Sequence, residues 1–381
     1  MKRKKDEDED EDMKSNNDNT GNKQKRPDFK ALAKKYAYFS KHCNNDGDDD
    51  RRGERERVKF DFKSWEATHD LCKVLLEDEC GVRDWSVPKG HLIPGFTQRR
   101  NYCEWVESLL ENDGEKRDRG DDDRVIGVDI GTGASAIFPL LFTSRNREWE
   151  MIGTDITDVA IESARENCLV KNGTFFSVDD GEDDDHNNSD FKKNKERKIR
   201  IVDTRRQKAG SSSSNSDKIG IVDNDKDDDD DEEQPILDID LMMNNDDASK
   251  VMMIVDFTVC NPPFFDTMRK SSLNPKTNFG GTSQENSCKG GEELFVSKMI
   301  HESIKFNDNH GNRVRWFTTM VGKKSTLKIA KKLLREGKTR AKKIREKAFV
   351  HSQTRRWAIA WSFLQPKTYE QLKKDVMIAL C

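Results

Sequence analysis

The sequence lacks the features that mark disulfide, metal and membrane proteins. Its eight cysteines are scattered without a C-x-x-C pair, which argues against a zinc site and fits reduced thiols in a cytosolic or nuclear compartment. The seven histidines form no H-E-x-x-H or similar cluster, so we expect no metal. No apolar run approaches membrane-spanning length and no signal-peptide apolar region follows the first methionine. We therefore expect a soluble intracellular protein without a membrane partner.

Apolar residues are also scarce, with 33% of the 381 residues hydrophobic against 37% charged. The deficit is concentrated in acidic or Ser/Asn-rich runs, which cannot bury enough apolar area to fold. We therefore predict a disordered charged arm, a disordered loop and two disordered acidic inserts, at residues 1–25, 44–57, about 179–195 and about 207–234. The remaining sequence is predicted to form an N-terminal module, a main domain and a C-terminal tail, at residues 26–118, 119–366 and 367–381.

Strand and helix patterns alternate along the main domain. Five strand-like runs are separated by helical patterns: VIGVDI, WEMIGTD, RKIRIVDT, VMMIVDFTVC and VRWFTTMV. The run AKKIREKAFVHSQTRRWAIAWSFL then predicts a hairpin. Alternation of this kind predicts an α/β fold with a doubly wound, mostly parallel sheet, to which the hairpin adds an antiparallel edge. In the N-terminal module we expect a basic helical arm over residues 26–43, a strand over residues 58–62 and two helices.

A glycine turn follows the first strand of the main domain in VDIGTGAS. Gly131 and Gly133 let the backbone turn tightly and approach a ligand at the next helix N-terminus, although an ordinary tight turn explains them equally well. Asp155 ends the second strand, where a carboxylate accepts both ribose hydroxyls of a bound nucleoside. Thr157 or Asp158 is available to cap the helix that follows. The absence of G-x-G-x-x-G favours a single nucleoside, S-adenosylmethionine, over a nicotinamide cofactor.

The fourth strand ends in VCNPPFFD, which combines an amide, two prolines and two phenylalanines. Ligands of such sheets lie beyond the carboxyl ends of the strands. There the Asn261 side-chain oxygen and the Pro262 carbonyl are positioned to accept the two N–H groups of a planar amine such as that of adenine. The prolines Pro262 and Pro263 fix the backbone, and Phe264 or Phe265 offers a face for an extruded base. The alternative is a proline-rich loop whose phenylalanines are core residues.

A strongly basic block spans residues 322–348, with twelve lysines and arginines against two glutamates. Such a block within an acidic chain suggests an anionic polymer as partner, and a solvated helix face is the alternative. The short clusters KRKK and KQKR near the N-terminus (residues 2–5 and 23–26) are compatible with nuclear import signals.

Several of these segments together resemble one family, the U6 small nuclear RNA adenosine-N6 methyltransferases (methyltransferase-like protein 16), which have a bacterial relative acting on large-subunit ribosomal RNA. The similar segments are RPDFKALAKKY, LIPGFTQRRNYCEWVE, GVDIGTGAS, CNPPFF, NFGGTSQENSCKGGEELFV, GKKSTL and RRWAIAWSF. The resemblance covers about residues 26–364. It implies a class I (Rossmann-like) methyltransferase sheet with a small N-terminal helical module.

The resemblance also implies roles for individual residues. The cofactor contacts would be Arg99 from the N-terminal module, Gly131 and Asp155, where the family has a chemically equivalent Glu. The catalytic tetrapeptide would be Asn261, Pro262, Pro263 and Phe264. The RNA side would comprise the loop NFGGT (residues 278–282), the N-terminal module, Lys323, Lys324 and Arg356.

Two departures from the family pattern concern RNA binding and cofactor access. Ser352 and Gln353 replace the usual Gly-Arg before the Thr-x-Arg-Trp run, although Arg356 and Trp357 are kept. The acidic inserts fall where the family has a short loop that controls cofactor access. The run RRQKAG, residues 205–210, is a weak candidate for its basic part.

The sequence therefore predicts a monomeric nuclear enzyme that transfers a methyl group from S-adenosylmethionine to N6 of adenosine in a structured RNA, most simply U6. Three alternatives remain: a ribosomal RNA adenine-N6 methyltransferase, a protein glutamine-N5 methyltransferase, and a non-catalytic RNA-binding protein with the same fold. The glutamine reading is chemically reasonable because the turn can orient any planar amide NH2.

Overall fold

The computed structural model describes residues 27–45, 58–112, 124–169, 198–205, 235–237, 254–267, 279–336, 341–351 and 354–364. The helices of these segments are α1 (Phe29–Lys35), α2 (Ala37–Ser40), α3 (Trp65–Cys80), α4 (Phe96–Glu111), α5 (Ile137–Arg145), α6 (Asp158–Cys168), α7 (Ser283–Asn286), α8 (Gly291–His310) and α9 (Lys324–Arg335). The strands are β1 (Cys43–Asn45), β2 (Val58–Phe60), β3 (Val125–Ile130), β4 (Trp149–Asp155), β5 (Lys198–Asp203), β6 (Val255–Cys260), β7 (Val314–Val321), β8 (Lys343–His351) and β9 (Thr354–Ser362). The predicted charged arm, both acidic inserts, the C-terminal tail and residues 46–57 of the predicted loop lie outside the described residues.

Seven strands form one sheet in the order β5-β4-β3-β6-β7-β9-β8. The first five are parallel to their neighbours, and β9 pairs antiparallel with both β7 and β8. The central strands β3, β6 and β7 are buried along their whole length, as expected for parallel strands covered on both faces. The predicted doubly wound sheet with an antiparallel terminal hairpin is confirmed.

Helices cover both faces of the sheet. On one face α4, α5 and α6 pack with the N-terminal segment in a single apolar cluster that includes Tyr102, Phe138 and Phe257. On the other face α8 and α9 pack on side chains such as Val128 and Phe317. The N-terminal segment therefore shares its core with the sheet.

The N-terminal segment differs in detail from the sequence prediction. The basic arm breaks into α1 and α2 because Tyr36 between them has an extended backbone, with φ −122°. The strand predicted to end at residue 62 ends at Phe60. It pairs with β1, whose last two residues, Asn44 and Asn45, fall inside the range predicted as a loop. Thr157 is the N-cap residue of α6, but its hydroxyl binds Asp155 instead of a helix N–H.

A short described stretch, residues 235–237, lies between β5 and β6. Leu237 is buried in the second apolar cluster. The backbone N–H groups of Ile236 and Leu237 both donate to one oxygen of Glu302 on α8, at 2.8 Å and 2.7 Å. This stretch is thereby attached to the outer helix layer.

Candidate active site

The glycine turn lies at the carboxyl end of β3 and is open on its outer side. Gly131 and Gly133 have φ values of +69° and +62°, which L side chains rarely adopt. A Cβ atom added to either would meet nothing within 4 Å. The N–H of Thr132 donates to the Thr154 carbonyl at 2.7 Å, which ties the turn to β4. The turn has the backbone and the free space that a ligand needs.

Asp155 lies beside this turn, as the sequence predicted. Its Oδ2 accepts the Gly133 N–H at 2.9 Å, and its Oδ1 accepts the N–H groups of Ile156 and Thr157 at 2.8 Å and 3.1 Å. The Thr157 hydroxyl adds a bond of 3.0 Å to Oδ1. Oδ2 has one protein donor only among the described residues, so it retains a lone pair for a ligand hydroxyl.

Two residues of this region were missed by the sequence reasoning. Asp129 on β3 is fully buried, and within the described part of the chain neither of its carboxylate oxygens has a hydrogen-bond partner. Burial raises the pKa of Asp129 to about 7. The signal was an acid inside the apolar run VIGVDI. Ile156, directly after Asp155, is a large apolar side chain left 52% exposed beside the open turn.

Asn261 follows β6 at the same edge of the sheet. Because Ile130 and Cys260 are register partners in adjacent parallel strands, the residues that follow them, Gly131 and Asn261, emerge side by side. The Asn261 Oδ1 atom is buried and has no hydrogen-bond partner among the described residues. Buried polar atoms rarely stay unpaired, and one at a strand end indicates a position where a ligand donates.

The two phenylalanines after the prolines are half-buried. The Arg356 guanidinium lies 5.3 Å from the centre of the Phe264 ring. Phe265 is held through its backbone, which donates to the Asn286 carbonyl and accepts from the Cys288 N–H, both at 3.0 Å. The rings therefore border the site and are not hidden in the core, and Arg356 contacts one of them.

Arg99 is a buried cation with no carboxylate partner in the described chain. It is 8% exposed, and among the described residues its guanidinium donates only a long bond of 3.4 Å to the Gln98 side chain. Burial lowers the pKa of Arg99 to about 10, and the nearby positive charge of Arg356 acts in the same direction. Two neighbouring cations that have no carboxylate partner among the described residues favour binding of an anionic group.

The turn Gly322–Lys324 is fixed by a buried acid that the sequence reasoning also missed. Glu292 on α8 accepts the backbone N–H of Gly322, the N–H of Lys323 at 3.1 Å and the Thr326 hydroxyl at 2.9 Å. A Cβ on Gly322 would lie 3.0 Å from the Phe264 ring, so the turn packs against the site. The side chains of Lys323 and Lys324 are exposed.

The loop predicted to lie on the substrate side packs against the N-terminal segment. Its first residue, Asn278, lies outside the described residues. The Phe279 carbonyl accepts the Ile93 N–H at 2.7 Å, and the Gly281 N–H donates to the Gly90 carbonyl at 2.8 Å. A Cβ on Gly280, whose φ is +67°, would lie 2.4 Å from the His91 carbonyl oxygen. Only glycine fits there, which fixes the path of this loop.

Arg205 is the one described residue of the weakly predicted access loop, residues 205–210. It pairs with Asp203 at the end of β5 and with Asp158 at the start of α6, the latter at 2.5 Å.

In the described residues no group of three or more His, Cys, Asp or Glu side chains is arranged to hold a metal ion. None of the described helices is long and apolar enough to cross a membrane.

Comparison with known proteins defines the class. A family described as RNA methyltransferase matches residues 12–178 and 240–365. The fold and the open glycine turn beside a strand-end asparagine agree with that match. The chain belongs to this RNA methyltransferase family, as the resemblance in the sequence predicted.

Two curated relatives are similar to this chain over most of its length. The chain is 31% identical over 361 residues to the U6 small nuclear RNA (adenine-(43)-N(6))-methyltransferase of Dictyostelium discoideum, covering 92% of this chain and 55% of that protein. It is 30% identical over 359 residues to the human RNA N(6)-adenosine-methyltransferase METTL16, covering 91% of this chain and 50% of that protein. The chain thus spans about half the length of these curated relatives.

Solved structures of human METTL16 share the fold. The catalytic domain in complex with a MAT2A 3'UTR hairpin has a TM-score of 0.61 and 28% identity, over 90% of this chain and 93% of that one. The N-terminal domain in complex with SAH has a TM-score of 0.57 and 28% identity, over 90% and 96% of the two chains.

Proposed function

We propose that the protein transfers a methyl group from S-adenosylmethionine to the exocyclic N6 of an adenosine in a structured RNA, with U6 small nuclear RNA as the first substrate to test. The observation that carries the proposal is the unpaired Asn261 Oδ1 at the strand end beside the open glycine turn. The names of the relatives support the same reaction.

The residues around the turn fit S-adenosylmethionine. The bare turn at Gly131 and Gly133 leaves room for it, and Asp155 has a lone pair for a ribose hydroxyl. Within the described part of the chain, Asp129 is a buried acceptor without a donor and Arg99 is a buried cation without a carboxylate partner. These two are suited to the ammonium and carboxylate of an amino-acid tail. When bound, the cofactor supplies an electrophilic methyl group on a sulfonium.

The protein's part in the reaction is to orient the amine. The Asn261 side-chain oxygen and the Pro262 carbonyl each accept one N–H of the adenine amine, which directs the nitrogen toward the methyl group. Pro262 and Pro263 keep the turn rigid, and the Phe264 face stacks on the extruded base, worth about 1–3 kcal/mol. Well-oriented reactions reach effective molarities of about 10⁵–10⁸ M, so positioning accounts for much of the rate.

Basic side chains around the site favour RNA over a protein substrate. Lys323 and Lys324 are exposed beside Phe264, and Arg356 lies over its ring. A glutamine side chain carries no phosphate to use these charges, whereas RNA does. All groups named here come from one chain, so we propose that a monomer is competent. The U6-directed relatives support a nuclear role.

Transfer of labelled methyl groups from S-adenosylmethionine to U6 RNA tests the proposal directly. We expect Asn261→Ala to lower kcat at least 100-fold with little change in the affinity for RNA, because the lost interaction orients the amine in the transition state. Asn112→Ala, at the exposed end of α4, is the control and should keep wild-type activity.

Full transfer by Asn261→Ala would overturn the orienting role. Labelling of proteins in an extract that survives ribonuclease treatment would favour the glutamine substrate. Salt-sensitive RNA binding with no S-adenosylmethionine binding would point to a non-catalytic RNA-binding protein. Labelling of ribosomal RNA with U6 left unmodified would keep the chemistry and change the substrate.

A further inference from the structure

Three aromatic rings form a stacked column in the N-terminal segment. His69 lies between Trp65 and Trp85, with ring centroids 5.2 Å and 5.3 Å away and interplanar angles of 26° and 27°. Trp65 and His69 are four residues apart on α3, so their side chains share one face of that helix. Trp85, which follows the end of α3, is completely buried.

The two ends of the column bind two different loops of the site. The Trp65 Nε1–H donates to the His91 carbonyl at 3.2 Å, and this is the oxygen on which Gly280 of the substrate-side loop packs. The Trp85 Nε1–H donates to the Ser135 carbonyl at 2.9 Å, two residues after Gly133. The column thus spans the distance from the substrate-side loop to the glycine turn.

The His69 ring is held at both of its nitrogens. Nδ1 lies 3.2 Å from an Asp70 carboxylate oxygen, and Nε2 lies 3.3 Å from the Ser86 hydroxyl. Ser86 is itself bound through its backbone by the Asn167 side-chain amide, which also donates to the Ala134 carbonyl at 3.0 Å. A ring fixed at both edges keeps a constant plane, so the two tryptophans are held at a fixed separation.

We infer that His69 is a positioning residue that holds the substrate-side loop and the glycine turn in register with each other. The inference rests on the proposed function, which assigns the first loop to RNA and the second to S-adenosylmethionine. Methyl transfer requires the two reacting atoms to be aligned, and a displacement of about 1 Å is enough to cost about 100-fold in rate. A rigid aromatic spacer between the two binding loops meets that requirement.

The test separates the two ends of the column with variants that keep one aromatic ring at each end. Trp85→Phe removes the N–H to Ser135 together with part of the indole but keeps an aromatic face toward His69. It should raise the dissociation constant for S-adenosylhomocysteine three- to tenfold, with the KM for RNA unchanged. Trp65→Phe should raise the KM for RNA by a similar factor and leave S-adenosylhomocysteine binding unchanged. His69→Leu should raise both the dissociation constant for S-adenosylhomocysteine and the KM for RNA, and should lower kcat at least tenfold.

Rescue by a conservative variant tests whether stacking is what matters. His69→Phe keeps a flat ring between the tryptophans and should retain both constants within about threefold of wild type. His42→Leu is the matched control, because His42 also binds Asp70, at 2.8 Å, and its side chain is 14% exposed against 13% for His69. His42 lies edge-on to Phe60, outside the column. We expect His42→Leu to lower stability without changing either constant.

The inference fails if His69→Leu behaves like His42→Leu, or if Trp65→Phe and Trp85→Phe shift the same constant by the same factor. The two tryptophan variants and His69→Phe keep the test decisive if His69→Leu does not fold. A wild-type protein that transfers no methyl group to RNA would refute the proposed function. In that case the effect of Trp85→Phe on S-adenosylhomocysteine binding still tests the column.

Discussion

Asp129 carries a charge that its surroundings disfavour, and this makes it sensitive to pH. Burial raises its pKa to about 7, above the value of about 4 in an unfolded chain. The folded protein therefore holds the proton to higher pH than the unfolded chain does. The contribution of the protonated Asp129 to the free energy of unfolding is fully present below about pH 4 and is lost as the pH rises through about 7.

Asp129→Asn removes this titration, so the variant should gain free energy of unfolding relative to wild type between about pH 4 and about pH 7. Urea unfolding of ligand-free protein at several pH values measures the difference. The same Asp129 variant should bind S-adenosylhomocysteine at least tenfold more weakly at about pH 8, because the ammonium acceptor has lost its charge. A flat stability difference together with unchanged binding would contradict this account.

The motif residues could be predicted individually, whereas their supports could not. Asp155 and Asn261 stand at strand ends where the alternation of strands and helices predicted them, because a parallel sheet gathers such ends at one edge. Glu292 gave no signal in sequence, since it acts on Gly322 from 30 residues away. The same holds for the contact of Trp85 with Ser135, which joins positions 50 residues apart.

Helix α9 has an exposed face that carries only positive charges. Lys324, Lys328, Lys332 and Arg335 are exposed, each a turn from the next, so successive charges are about 5–6 Å apart along the axis. In the described residues Lys331 pairs with Glu346 at 2.9 Å, whereas Lys328, Lys332 and Arg335 have no carboxylate within ion-pair distance. Like charges one turn apart destabilise a helix, and a cavity of about 380 Å³ lies among these side chains.

An RNA backbone following α9 would neutralise this face. Lys328→Gln with Lys332→Gln should then reduce the slope of log K against log salt by about 1–2 for an RNA with an extended stem. A stem cut close to the modified adenosine should show a smaller change. The matched control pairs Arg147→Gln with Lys305→Gln, which remove two exposed charges elsewhere. An unchanged slope in the α9 variant would assign this face to solvent.

The helices and strands themselves were largely predictable, and their irregularities were not. Local periodicity indicated α3, α4 and the strands of the sheet correctly. The break between α1 and α2 at Tyr36 has no proline or glycine to announce it, because tertiary packing of Leu32 and Phe39 into the core overrides the local preference. The two positive-φ glycines of the substrate-side loop stood out in sequence, but the groups that require them do not: the His91 carbonyl crowds Gly280 and the Asn286 side chain crowds Gly281.

The N-terminal segment and the sheet share one apolar core, so we expect them to unfold together. Tyr102 on α4 is fully buried, and its hydroxyl lies 2.6 Å from Thr318 Oγ1 on β7. The Thr318 hydroxyl in turn donates to the Thr258 carbonyl, so the tyrosine is the donor of the pair. The N-terminal segment and the sheet therefore share one interior, and the boundary predicted between the two modules stays a prediction.

Tyr102→Phe leaves Thr318 short of a donor and should lower the free energy of unfolding by about 1–2 kcal/mol. Tryptophan fluorescence and far-ultraviolet circular dichroism should report a single urea midpoint that shifts together in the variant. Tyr36→Phe removes a hydroxyl that bonds the exposed Asp78, at 3.2 Å, and should change stability by about 0.5 kcal/mol or less. Two separate midpoints would show that the modules unfold independently.

The attachment of residues 235–237 to Glu302 has a consequence for how this gene can change. Residues 235–237 divide the acidic connection between β5 and β6 into two parts. Each part therefore begins and ends at residues that the folded protein holds in place. Closing a longer loop adds only about 0.6 kcal/mol per doubling of its length. We therefore expect the stretch before Pro235 to tolerate insertions and deletions without displacing Asn261.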